Sequence, residues 1–299
     1  MFSRLFCTVS EILDDYRKDF VLRQCRSVRS LDSEIRQLKA HLGRMRASRL
    51  TTRLLRGYQS ARIGQGMKAA TVNKELADLS AALQLAASNE LLGAIPKFPS
   101  RLPAGKPRQG FFEAEEYEAV RAFLPGWAAD VLDFGYYSGW RRSEVTGLTW
   151  PEIDLPGRRV RLDPDRSKNN ETRLIPLIGF GLATIERRAA RPEGVGLVFH
   201  RAGSPILSTT WWTTWRRATK RAGVPHRLYH DLRRTCVRNL ELAGVPRKVA
   251  MGWVGHRTES VYRRYHIVTE HDVIQAGEKL VEQIGVQASR RVVRLFCAK

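Results

Sequence analysis

The sequence predicts a mainly α-helical protein with one small β-hairpin or sheet, an α+β class, and three observations carry that expectation. Apolar residues recur at three- and four-residue spacing through most of the 299 residues, two short runs between 158 and 177 alternate or carry β-branched residues, and a Pro/Gly-rich stretch separates two helical regions. From 8 to 92 the pattern is helical throughout. Thr8-Val-Ser-Glu11 fits a capping box, and the helix it opens carries Ile12, Tyr16 and Phe20 on one face. Ile35, Leu38 and Leu42 mark a second helix, and Leu50, Leu54 and Tyr58 a third. Val72, Leu76, Leu79, Leu83 and Ala86 mark a fourth, with Thr71 as its expected N-cap. Residues 1–95 therefore read as a small helical domain whose polar faces are filled with Arg and Lys. Pro96, Pro99, Pro103 and Pro107, with Gly93, Gly105 and Gly110, give a semi-stiff basic linker over 96–110. A second domain is expected over 111–285. It should carry helices near 113–123, 127–138 and 141–150, strands at 158–162 and 172–177 around a turn at 165–170, and helices near 180–190, 208–222, 230–243, 246–253, 258–266 and 270–284. Residues 286–299 form a basic tail.

Composition narrows the partners. Fifty-one Lys and Arg against thirty Asp and Glu give a net charge of +21 and a pI near 10.5, which favours a polyanion such as nucleic acid; charge alone also fits a membrane surface or an acidic protein. Residues 1–108 hold 20 basic and 9 acidic residues and the rest hold 31 and 21, so both halves are candidates to clamp one duplex. Lys97, Arg101, Lys106 and Arg108 suit a linker lying along a phosphate backbone. Cys7, Cys25, Cys236 and Cys297 have neither zinc-like nor redox-like spacing, and a chain of this length needs no disulfides. No signal-peptide core and no apolar run of about 18 residues are present, so a cytoplasmic, nucleoid-associated protein without a membrane is expected.

The chemistry-bearing residues come in a fixed order. Arg141 and Glu144 lie three apart, where a carboxylate can orient a guanidinium; Lys168 sits in the turn between the strands; His230-Asp-Leu-Arg233 opens a helix; Gly255-His256 is followed by Tyr262 and Tyr265. Each has an ordinary reading alone: a surface ion pair, a solvated lysine, a capping histidine, packed tyrosines. His226 and His230 stand four apart, but Pro225 interrupts a common helical face and no carboxylate or Cys cluster completes a metal site, so no metal and no cofactor is expected.

Taken together, Ser138-Gly-Trp-Arg-Arg-Ser-Glu144, the hairpin Lys168, His230-Asp-Leu-Arg-Arg-Thr235 and Gly-His256 with a tyrosine nine residues later resemble the tyrosine recombinase, or phage integrase, family. The resemblance implies a helical core-binding domain followed by that family's catalytic domain from about 111 to 284. It selects Tyr265 over Tyr262 as the nucleophile and gives Arg141, Lys168, His230, Arg233 and His256, supported by Glu144, as the catalytic set. Ser138 stands where Thr is commoner and Val254 where Leu is more usual. The start of the chain almost at the first core-binding helix implies no separate arm-site domain.

These residues suit phosphodiester cleavage without a metal. Arg141 and Arg233 offer planar forks to nonbridging oxygens and His256 a further donor. His230 is the expected base for the Tyr265 hydroxyl, and Lys168 the acid for the leaving 5′-oxygen, as the resemblance implies. A 3′-phosphotyrosine would conserve the bond energy for rejoining without ATP. The expected protein is a site-specific recombinase of a prokaryotic, phage or other mobile element, acting on double-stranded DNA. It would be a monomer or dimer when free and a homotetramer on two sites, with accessory DNA-bending proteins as further partners. Val273, Leu280, Val281 and Ile284 suggest an arm that docks on a neighbouring protomer, which favours a recombinase over a type IB topoisomerase. A helix-turn-helix regulator over 235–256 is the remaining alternative.

Overall fold

In the computed structural model the capping box forms as the sequence predicts. The Glu11 amide donates to Thr8 Oγ1 at 3.3 Å and the Thr8 amide to Glu11 Oε2 at 2.7 Å, which satisfies two donors that the first turn of α1 (Val9–Leu22) would leave open. The structure describes residues 7–25, 27–105, 110–164, 172–190, 196–263, 265, 273, 274, 277, 278, 280–282 and 284. The chain divides into two compact units, 1–106 and 107–299.

In the first unit α1 is followed by α2 (Val28–Leu42), α3 (Thr52–Gly64) and α4 (Ala69–Ser88). Leu31, Ile35, Leu38 and Leu42 of α2 face Val72, Leu76, Leu79, Leu83 and Ala86 of α4, with Ile12, Leu13, Leu55 and Tyr58 completing the core. A buried leucine of this kind contributes roughly 1.5–3 kcal/mol. Two expectations are corrected. Thr71 is not the N-cap of α4: the good helix formers Ala69 and Ala70 extend the helix back to Lys68, so Thr71 lies in its first turn. Leu54 points outward at 38% exposure and its neighbour Leu55 occupies the core. One charged network is buried here. Arg62 donates to both carboxylate oxygens of Glu75, at 2.7 and 3.1 Å, and Tyr58 donates to the same group at 2.7 Å. Losing Glu75 would strand a buried guanidinium, a defect of about 3–5 kcal/mol.

The Pro-rich stretch is extended, and side chains of this unit satisfy its backbone. Thr52 Oγ1 donates to the Lys97 carbonyl at 2.6 Å, Gln59 Nε2 to the Ser100 carbonyl at 3.1 Å, and the Asn73 amide exchanges two 2.8 Å bonds with Leu102. Lys97 and Arg101 are exposed on it; Lys106 and Arg108 lie outside the described residues.

The second unit begins with α5 (Ala114–Ala122), α6 (Gly126–Ser138) and α7 (Arg142–Thr146). Strands β1 (Ile153–Asp154), β2 (Arg159–Leu162) and β3 (Arg173–Pro176) then form an antiparallel sheet in that order, one strand more than the sequence predicts. Val160 pairs with Ile175 and Leu162 with Arg173, and period-two alternation turns all four toward the interior. The rest is helical: α8 (Gly179–Ala189), α9 (Ser208–Arg221), α10 (Asp231–Leu242), α11 (Arg247–Val254) and α12 (Glu259–Tyr262). The mainly helical α+β class is therefore the observed one. An aromatic core including Phe112, Phe134, Trp140, Phe199, Trp211 and Trp215 surrounds α6, while a smaller cluster of Cys236, Val237, Ala250, Val254 and Tyr262 joins α10, α11 and α12. Of the expected helix at 270–284, residues 273, 274, 277, 278, 280–282 and 284 are described and are helical, while the turn at 165–170 lies outside the described residues; Val273, Leu280, Val281 and Ile284 are exposed. Among the described residues no helix is long and apolar enough to cross a membrane.

Candidate active site

Five chain segments of the second unit supply the site. Gly139 ends α6 in the left-handed region at φ 62°, where a Cβ would lie 2.9 Å from that of Cys236, so the chain turns sharply into Trp140 and Arg141. Arg141 is the N-cap of α7. Glu144, at the third helical position, accepts the Arg141 amide and Arg141 Nη1, both at 2.8 Å. The i,i+3 spacing thus works as a cap as well as an ion pair, and it leaves the rest of the Arg141 guanidinium partly open to solvent.

The other face of Glu144 is held by a residue that sequence reasoning missed. Arg173, on an inward position of β3, donates to both Glu144 oxygens at 2.5 and 3.0 Å and is only 4% exposed. Burial alone would raise the Glu144 pKa, but Arg173 and then Arg141 bring it down to about 2. Lys168 lies outside the described residues.

His230 is the N-cap of α10, and Asp231 Oδ2 anchors the preceding loop by accepting the Leu228 amide at 2.8 Å. One turn on, Arg233 is 1% exposed. Its Nη1 and Nη2 donate to the carbonyls of Gly139 and Gly255 at 2.9 and 3.3 Å, and its Nε to His256 Nε2 at 3.0 Å. Sequence reasoning expected an open fork; here Arg233 is a buried cation that ties three segments together. Gly255 closes α11 at φ 73° and presents His256. Since Nε2 accepts from Arg233, the neutral ring carries its proton on Nδ1, which is buried with no hydrogen-bond partner among the described residues.

The two tyrosines separate by geometry. Tyr262 is fully buried and donates to Glu241 Oε1 at 2.7 Å; burial and then Glu241 push its pKa up. Tyr265 stands among the candidate residues. Its hydroxyl is 2.9 Å from His230 Nε2, its ring centroid is 4.5 Å from that of His256, and the guanidinium carbons of Arg233 and Arg234 are 5.8 and 5.3 Å from the ring centre. Although His230 is exposed as a residue, its ring is desolvated beside Arg233, Arg234 and Arg141; desolvation first and then those charges push its pKa down to about 4. His256 is pushed to about 3 for the same reasons. Both rings are neutral near pH 7, so His230 Nε2 can accept the Tyr265 proton. Arg141, Glu144, His230, Arg233, His256 and Tyr265 thus gather at one place. The strand alternation that puts Arg173 beside Val160 and Ile175 was the signal that could have found the seventh. Among the described residues no group of three or more His, Cys, Asp or Glu side chains is arranged to hold a metal ion.

The chain is similar to known proteins in sequence and in fold. The phage integrase family model matches residues 111–271. The chain is 28% identical over 152 residues to the integrase of Salmonella phage P22, covering 47% of this chain and 39% of the relative. It is 26% identical over 159 residues to the tyrosine recombinase XerD of Bifidobacterium longum, covering 48% and 51%. The chain spans about half or less of the length of these relatives. Among solved structures, a lambda integrase dimer bound to a COC′ core site superposes with a TM-score of 0.73 at 20% identity, covering 88% of this chain and 78% of the other. The Tn1549 transposon integrase in complex with transposon right end DNA does so with a TM-score of 0.75 at 18% identity, covering 92% and 100%. Both likenesses are of fold.

A pH dependence follows from the depressed groups. A folded-state pKa below the unfolded one gives stability that is present above the unfolded value and is lost as pH falls toward the folded one. For His256 that window runs from about 6.5 down to about 3, and for Glu144 from about 4.5 to about 2. Urea unfolding of the full chain at pH 7 and pH 5 should show a marked loss of stability. His256→Asn should reduce the slope by up to about 1.4 kcal/mol per pH unit. An unchanged slope in that variant would contradict the assignment of a buried neutral ring.

Proposed function

Because the chain belongs to the phage integrase family, we propose that it is a site-specific DNA recombinase that cleaves and rejoins double-stranded DNA through a 3′-phosphotyrosine, without metal or ATP. The observation that carries this reading is the Tyr265 hydroxyl 2.9 Å from a neutral His230, within a cluster containing Arg141, Arg233 and His256. A phosphodiester carries a negative charge that grows in the pentavalent state. Arg141, with free guanidinium N–H groups, contacts a nonbridging oxygen, and His256, stacked beside Tyr265, is assigned as a further donor. Arg233 adds a fixed positive charge from beneath, together with the N–H groups its backbone contacts leave over. His230 takes the Tyr265 proton as the oxygen attacks phosphorus. The leaving 5′-oxygen needs a proton, and Lys168 is the assigned donor. The phosphotyrosine stores the cleaved bond for attack by a 5′-hydroxyl of a second duplex.

Charge supports DNA as the partner of both units. No acidic residue occurs between Glu34 and Glu75, a span that holds ten Lys and Arg, and Arg44, Arg49, Arg53 and Arg56 within it are exposed. With Lys97, Arg101, Lys106 and Arg108 these side chains are assigned to the phosphate backbone, so that residues 1–95, the 96–110 segment and the catalytic domain at 111–285 act on one site. A homotetramer on two sites is the proposed assembly, because exchange needs four cleaved strands and the lambda integrase is known as a tetramer bound to a Holliday junction. The exposed apolar residues Val273, Leu280, Val281 and Ile284 suit contact with a neighbouring protomer.

Two experiments test the chemistry. On nicked duplexes carrying sequences recovered from DNA trapped on the protein, Tyr265→Phe should bind but form no denaturation-resistant adduct, in EDTA as without it. Tyr262→Phe should still cleave, and an adduct surviving in Tyr265→Phe would refute the nucleophile. Lys168→Ala should slow single-turnover cleavage by about 10²-fold or more, while a 5′-bridging sulfur, which leaves without a proton, should restore near wild-type speed. Equal defects on oxygen and sulfur substrates would remove Lys168 as the acid.

A further inference from the structure

We infer that Arg173 is a positioning residue for cleavage: from beneath the site it fixes both the guanidinium of Arg141 and the turn that presents His256. The inference rests on the reading of the Arg141, His256 and Tyr265 cluster as the active site. Arg173 occupies the first position of β3, and pairing with Leu162 in an inward register forces its charge into the interior. A buried guanidinium there is costly unless it is neutralised and hydrogen-bonded, and every contact it makes leads to the site. Nη1 and Nη2 grip both oxygens of Glu144, whose opposite side holds the amide and Nη1 of Arg141. Two cations thus share one carboxylate. Arg173, at 4% exposure, cannot leave, whereas the Arg141 side chain is 27% exposed and faces outward. Glu144 is therefore locked from behind, and the pose of Arg141 is the pose that lock allows.

The same side chain reaches the second segment. Arg173 Nη1 donates to the Val254 carbonyl at 3.4 Å, and Nε sits 2.5 Å from where a Cβ on Gly255 would lie. The turn at φ 73° therefore closes directly over the guanidinium. The ring of Trp140, the residue before Arg141, lies 5.5 Å from the Arg173 guanidinium carbon, and its Nε1 donates to the Trp253 carbonyl at 3.1 Å. Displacing Arg173 would shift Arg141 and His256 together, and displacements of about 1 Å at reacting groups cost on the order of 10²-fold in rate. Arg173 is buried and touches no phosphate, so its loss should leave DNA affinity alone.

The test is single-turnover formation of the covalent complex by the full chain, with Kd for the same duplex measured in parallel. Arg173→Met should lower the cleavage rate by about 10- to 10²-fold with Kd and its salt dependence within about twofold of wild type. Its acid limb should move to higher pH, because Glu144, no longer facing Arg173, protonates more readily and releases Arg141. Glu144→Gln added to Arg173→Met should cost less than the product of the two single effects. Arg173→Lys, which keeps the charge but not the two-pronged grip, should fall between; it also carries the test if Arg173→Met lacks wild-type near-UV circular dichroism. A wild-type rate and pH profile in the folded variant would overturn the inference, as would a loss of affinity that matches the loss of rate. Should the wild-type chain form no adduct, or Tyr265→Phe form as much as wild type, the functional reading itself falls.

Discussion

The site depends on one buried carboxylate. Glu144 accepts from two guanidinium groups and one backbone amide, and without it Arg141 would have no fixed pose and Arg173 would be an uncompensated charge in the interior. At an effective dielectric of about 20, an ion pair at 3–4 Å is worth several kcal/mol before desolvation is subtracted, so the arrangement is rigid mainly because breaking it leaves a charge unpaired. The pairing spans α7 and β3, which lie 29 positions apart, and so turns a strand and a helix N-terminus into one support.

Around that support the second buried cation does similar work. Arg233 binds the carbonyls of Gly139 and Gly255 and the ring of His256, so the ends of α6 and α11 converge on α10. Burial, and after it the nearby arginines, also accounts for the two neutral histidines. Desolvation and nearby positive charge hold His230 at about 4 and His256 at about 3, and a neutral imidazole is what a proton acceptor near pH 7 requires. The field that would stabilise an anion thus also keeps His230 free of its proton.

Much of this was legible in the sequence because it is written in local periodicity and caps. The Thr8–Glu11 cap, the apolar faces of α2 and α4 and the alternation of β2 and β3 all follow from residues a few positions apart. The misses have physical causes. Thr71 lost the cap position because Ala69 and Ala70 propagate helix through it, and Leu54 lost the core to Leu55 because both fit a helical face and packing chose between them. The Pro-rich stretch reads as a semi-stiff linker, and what its composition does not show is that Thr52, Gln59 and Asn73 bond its backbone, a tertiary effect with no local signature. In the site, the order and spacing of Arg141, His230, Arg233, His256 and Tyr265 carried a resemblance, and the resemblance implied their roles; the structure brings them together and sets Tyr262 apart, bonded to Glu241. Arg173 was overlooked because a charged residue in a strand reads as outward-facing until the register is known.

The most direct measurement is the chemical identity of the protein–DNA bond. Covalent complexes would be trapped under denaturing conditions, digested with nuclease and protease, and sequenced by mass spectrometry. The account predicts a nucleotide remnant joined through its 3′-phosphate to the peptide bearing Tyr265. A remnant on Tyr262, on any serine, or on a 5′-phosphate would contradict it.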